Sequence, residues 1–153
     1  MTIVRGRMRG WIDLLAFDPR RRILLVVEIK TWLDDLGAVE RQVDWYVREA
    51  PAIARQFGFL PTRTVGWLLV LATAEVDGAI RTNRDAIARR FPARARSMRR
   101  LLTPGDTIVP ADGIALIDPR ARRRNWLIPS QLDGRRSRLP YTGYADAARL
   151  LAA

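Results

Sequence analysis

Asp13, Glu28 and Lys30 are the residues of this chain whose types and spacing could do chemistry. Two carboxylates can hold a hard divalent cation, and an ammonium beside them can orient a water or stabilise charge developing on a phosphate. Lys30 is singled out by composition, being the only lysine among 27 basic residues in a chain that otherwise writes positive charge as arginine. An ammonium is a compact charge whose pKa burial can shift, whereas guanidinium is planar, wide and always protonated. The chain has no cysteine and no histidine. Disulfides, thiolate nucleophiles, imidazole bases and Cys/His zinc sites are thereby excluded by inventory. The oxygen donors that remain select a hard cation, Mg2+ with Mn2+ as its common substitute.

The elements that must position these residues can be read from hydrophobic pattern and turn chemistry. Residues 9–17 (RGWIDLLAF) are strand-like, Asp18-Pro19-Arg20-Arg21 supplies a turn, and residues 23–29 (ILLVVEI) form a second buried strand. Together they predict a hairpin of central strands covered on both faces. Asp34 and Asp35 offer caps for an amphipathic helix reaching Arg48 or Glu49, and Pro51 is expected to start a further helical piece ending near Gly58. Residues 64–73 (TVGWLLVLAT) are the next buried strand, reached through a crossover long enough to hold a helix. Thr82 or Asn83 can cap a basic helix to Phe91, and a further helix is expected at 94–102. Short strands are expected at 113–117 and 125–128, and a closing helix at 144–151. At 153 residues a single domain is the default, with a core at 9–103 and an extension at 104–153 to which no role is assigned.

If the hairpin turn centres between Arg20 and Arg21, residues whose numbers sum to about 41 oppose each other, and Asp13 then faces Glu28. Lys30 joins the same face, because side chains alternate with period two. Burying two acids there without partners would cost several kcal/mol, and a divalent cation between them resolves that cost. The competing reading is an ion pair of Lys30 with Glu28 or Asp13 and no chemistry.

Gly10-Trp11-Ile12-Asp13 followed by Glu28-Ile29-Lys30 resembles the PD-(D/E)XK nuclease superfamily, whose hallmark is an acid on one hairpin strand and E-x-K or D-x-K on the next. The resemblance covers roughly residues 9–73. It implies an α/β, restriction-endonuclease-like core, a mixed β-sheet of an antiparallel hairpin plus a strand after a helical crossover, flanked by helices. It further implies that Asp13 and Glu28 ligate the metal with the Ile29 carbonyl as a third ligand, that Lys30 is the catalytic lysine, and that Mg2+-dependent hydrolysis of phosphodiester bonds in DNA is the activity. Many exonuclease-type members carry Q-x-x-x-Y on the following helix, matched by Gln42 and Tyr46, which would contact DNA or support the site. Many members also begin with an acid-bearing helix. Here no acid precedes Asp13, so the family pattern implies a shortened member that binds metal weakly, borrows a ligand such as Glu40, or is inactive. The chain is also similar to nuclease-like domains beside actinobacterial helix-turn-helix regulators, which leaves room for a regulatory or DNA-binding partner protein and for a homodimer.

A formal charge of +11 suits nucleic acid as partner, through arginine clusters at 20–22, 89–90, 94–100, 120–124 and 135–138. Coding bias towards arginine explains the same charge equally well. Residues 1–11 are too polar for a signal-peptide core and no apolar run would span a membrane, so the expected location is cytoplasmic. Trp11, Trp32, Trp45, Trp67 and Trp126 are read as packing residues rather than base-stacking surfaces. Asp118-Pro119 and Asp133-Gly134 are read as turns. The function class that competes with hydrolysis is a catalytically inactive binding or regulatory module of the same fold.

Overall fold

The structure, a computed structural model, describes residues 2–5, 8–122, 126–134 and 138–152. A small two-stranded sheet of β1 (Thr2–Arg5) and β2 (Met8–Trp11) precedes a mixed five-stranded sheet. That sheet is ordered β3 (Leu14–Asp18), β4 (Ile23–Lys30), β5 (Arg63–Leu71), β6 (Gly113–Ile117) and β7 (Leu127–Ile128). Helix α1 (Leu36–Gln56) links β4 to β5. Helices α2 (Ala74–Thr82), α3 (Arg84–Arg90) and α4 (Ala95–Leu101) lie between β5 and β6, and α5 (Tyr144–Leu151) follows β7. The expected α/β class, with a hairpin, a helical crossover and a further strand, is the observed one. By compactness the chain divides into two units, Met1–Glu28 with Asp35–Leu68, and Ile29–Asp34 with Leu69–Ala153.

In the first unit the β3–β4 turn is built as its residues dictate. The Asp18 carboxylate accepts from the backbone N–H groups of Arg20 (2.9 Å) and Arg21 (3.1 Å) and from the Arg21 side chain (2.6 Å), and these bonds hold its pKa below the usual carboxylate range. Arg22 closes the turn in the left-handed region at φ 53°, and its carbonyl accepts from Thr62 N–H at 2.9 Å. Asp35 caps α1, its side chain accepting from Ala38 N–H at 2.8 Å. The α1 face bearing Tyr46, Ala50 and Ala54 packs with Ile12, Leu24 and Val26.

Three expectations about this unit are corrected. Residues 9–17 are not one strand: β2 pairs with β1, and the chain breaks at Ile12–Asp13 before β3 starts. Ile12 is fully buried, and drawing it into the α1 core bends the chain there. Nor is β3 covered on both faces. It is the edge of the five-stranded sheet, with Leu14 and Ala16 exposed, whereas β4 is buried from Ile23 to Glu28. Finally, Pro51 does not divide α1, which continues through it. The fully buried Ala50 and Ala54 on either side anchor both halves to the core and outweigh the hydrogen bond that proline cannot donate. Replacing Pro51 with alanine is therefore expected to stabilise the protein by up to ~3 kcal/mol, the helix-interior difference between the two residues. A rise in the urea midpoint checks this, and an unchanged midpoint would mean that the packing already relieves the proline.

The second unit contains a helix absent from the sequence reading. Thr73 caps α2, accepting from Val76 N–H at 3.1 Å, and Val76 and Ile80 are buried beneath it. The sequence signal was a Thr cap followed by apolar residues four apart, masked by Gly78. Asn83 precedes α3 but makes no side-chain cap bond. Tyr141 packs with Leu71 and Ala147, and its hydroxyl donates to Asp118 at 2.7 Å. Burial and that neighbouring carboxylate push the Tyr141 phenol up to about 12. Asp118 and Asp133 sit at turns, as expected, the former accepting from Arg120 N–H at 2.9 Å and the latter followed by Gly134 at φ 69°. No described helix is long and apolar enough to cross a membrane.

Candidate active site

Register decides whether two hairpin acids can share a face. The observed pairs run Leu14↔Val27, Leu15↔Val26, Ala16↔Leu25, Phe17↔Leu24 and Asp18↔Ile23, all summing to 41. This is the register that the Asp18–Arg21 turn predicted. Asp13 immediately precedes β3, in a bend rather than in the strand, one position beyond the last observed pair, Leu14↔Val27. Leu15 and Phe17 pack on the same cluster as Leu24 and Val26, so this face of the hairpin is the one that α1 covers. Alternation places Glu28 on that side, and carries Lys30, two residues further along β4, to the same side of the strand; Asp13 stands in the bend after Ile12, which is itself part of that cluster. Glu28 is only 3% exposed. Asp13 is exposed, Lys30 half-buried, and Ile29, on the other side, exposed.

The approach to Asp13 is held by α1. Gln42 Nε2 donates to the Tyr46 hydroxyl at 2.8 Å, and that hydroxyl also accepts the backbone N–H of Trp11 at 3.0 Å. With both lone pairs occupied, the phenolic proton is left for an acceptor. Gly10 lies flat on the Trp45–Tyr46 ring pair, whose centroids are 5.3 Å apart. A Cβ at position 10 would come within 2.2 Å of Trp45 Cζ3 and 2.6 Å of Tyr46 Cε1. Gln42 thus bonds to Tyr46, and Tyr46 bonds to the segment leading into Asp13. The role of Gly10 was missed in the sequence, where it stood only as part of a motif; a glycine two residues before a buried Ile was its sole signal.

Glu40, also on α1, buries its Oε1 without a hydrogen-bond partner. Even so, among the described residues no three Asp or Glu side chains approach closely enough to form a metal cage. The donors that the resemblance implies, the Asp13 and Glu28 carboxylates and the Ile29 carbonyl, are all oxygen. Such an all-oxygen set fits Mg2+, which keeps several waters and is usually bound through one or two carboxylates plus substrate phosphates.

Several arginines from the basic clusters are engaged within the protein. Arg21 pairs with Asp18 (2.6 Å), Arg90 with Asp112 (2.5 Å) and Arg100 with Asp106 (2.9 Å). Arg22 donates to Leu60 O at 2.7 Å, and Arg94 donates to the Phe91 carbonyl. Arg123, Arg124, Arg135 and Arg136 lie outside the described residues. Of the five tryptophans, Trp67 is buried and Trp45 packs on the α1 core, whereas Trp11 is 62% and Trp32 47% exposed, which corrects the packing role expected of the last two. Compared with protein families, curated proteins and solved structures, the chain matches none.

Proposed function

We propose that the chain hydrolyses nucleic-acid phosphodiester bonds, with DNA as substrate, at a Mg2+ site formed by Asp13, Glu28 and the Ile29 carbonyl. The observation that supports this reading is the hairpin register, which continued one step beyond Leu14↔Val27 would bring Asp13 opposite Glu28, with Glu28 buried on a covered face. Magnesium would supply polarisation of a phosphoryl oxygen and acidification of a bound water. Asp13 and Glu28 supply the negative charge that holds the ion, and Lys30 orients the attacking water or offsets phosphate charge in the transition state. Gln42 and Tyr46 act as positioning residues, tying Trp11, and through it Asp13, to α1.

A second reading, an inactive nucleic-acid-binding module of the same fold, is favoured by the absence of a three-acid cluster among the described residues. Incubation with supercoiled plasmid in Mg2+, Mn2+ or EDTA separates the two. Cleavage in either metal and none in EDTA is expected. DNA affinity that falls steeply with salt, as phosphate neutralisation requires, but without cleavage would select the second reading, and no binding at low salt would sink both.

A further inference from the structure

Resting on that nucleic-acid reading, we propose that the second unit carries a separate seat for one unstacked nucleobase of a single strand, in the cleft bounded by Trp32 and Tyr144. The cleft holds about 620 Å3, within the range of small-molecule sites. Trp32, just after β4, and Tyr144, the first residue of α5, are 47% and 53% exposed. The same unit buries Phe91 completely and leaves Tyr141 only 3% exposed, so its core does not account for two open aromatic faces lining one concavity. Scattered exposed apolar residues are ordinary; a shared aromatic cleft presents stacking surfaces suited to the flat face of a base.

The polar groups of the cleft narrow the ligand further. Glu75, in the first turn of α2, is exposed and lines the cleft. Its carboxylate rests on Gly143, where a Cβ would meet Glu75 Oε2 at 2.5 Å, so glycine keeps room for it. The Glu75 backbone N–H donates to the Thr142 carbonyl at 3.2 Å, which ties the start of α2 to the segment leading into Tyr144. Asp146, the other acid of the cleft, is engaged by Thr142 N–H (3.1 Å) and Arg149 (2.9 Å). A carboxylate only accepts, so Glu75 selects a ligand rich in N–H donors. Guanine, with adjacent ring N–H and amino donors, satisfies both oxygens, whereas thymine offers a single ring N–H. Among the described residues no arginine lines the cleft, so the base rather than the phosphate is what it recognises. A cationic peptide side chain would also meet aromatic faces and a carboxylate, but the +11 charge of the chain repels cations and draws polyanions.

The test is fluorescence anisotropy with labelled oligothymidine, the same strand bearing a central guanine, and a blunt duplex, at low salt. Trp32→Ala and Tyr144→Ala are each expected to weaken single-strand binding about tenfold, the scale of one lost base stack, with duplex affinity and melting temperature unchanged. Glu75→Gln is expected to abolish the preference for the guanine-bearing strand. Wild-type binding to single strands that Trp32→Ala and Tyr144→Ala leave unaltered overturns this inference alone. Competition by arginine amide and not by guanosine monophosphate overturns it in favour of a cationic peptide. Failure of the wild type to bind any of the three nucleic acids overturns it together with the proposed function.

Discussion

Lys30→Arg is expected to fold, to bind DNA as the wild type does, and to lose metal-dependent cleavage by roughly a hundredfold or more, the scale of removing a positioned electrostatic group. The substitution preserves charge and so isolates shape. If Lys30 served only as an ion-pair partner at the end of β4, arginine would replace it with little loss, since partly exposed pairs contribute only about 0–1 kcal/mol. A lysine that positions a water or a phosphate oxygen beside Asp13 and Glu28 has no such tolerance. The guanidinium fork is wider, places its charge further along the side chain and cannot release a proton, so it would occupy the space of the group it should orient. Matched plasmid-cleavage rates in Mg2+, with melting temperature and DNA affinity as controls, decide the matter. Equal cleavage by Lys30→Arg and the wild type would remove Lys30 from the catalytic machinery and with it the E-x-K assignment.

The second large effect is expected at Gly10. Alanine there drives a methyl group into Trp45 and Tyr46, with approaches of 2.2 Å and 2.6 Å, far inside van der Waals contact. Overpacking of this kind costs ~1–3 kcal/mol. Two aromatic rings packed on a 21-residue helix give way poorly, so the strand segment is expected to lift instead. That movement lengthens the bond from Trp11 N–H to the Tyr46 hydroxyl and displaces Asp13, two residues on. Gly10→Ala should therefore lower the urea midpoint and also reduce cleavage at temperatures where the variant is still folded. Tyr46→Phe supplies the control, because it removes the hydroxyl without adding bulk: cleavage should fall with a smaller loss of stability, on the order of 1 kcal/mol for the hydrogen bond. A Gly10→Ala protein with an unchanged midpoint would show that Trp45 swings aside freely, and α1 would then not be what holds the approach to Asp13.

Local chemistry was legible in the sequence wherever residues a few positions apart settle the matter. The Asp18 turn bonds to its own neighbours, so the register of β3 against β4 could be counted from the turn outward. Asp35 caps α1 for the same local reason, and the two-residue step from Glu28 to Lys30 is a property of any strand. What escaped the sequence depended on distant partners. The break at Ile12–Asp13 arises because Ile12 is buried with Tyr46 and Ala50, residues more than thirty positions away. Pro51 remains inside a helix because Ala50 and Ala54 are held by that same core. Trp11 and Trp32 read as packing residues because apolarity alone does not reveal which side of an element is left uncovered. Hydrophobic pattern and turn geometry act over a handful of bonds, whereas burial is settled by which surfaces meet once the chain has folded back on itself, and only the tertiary structure contains that information.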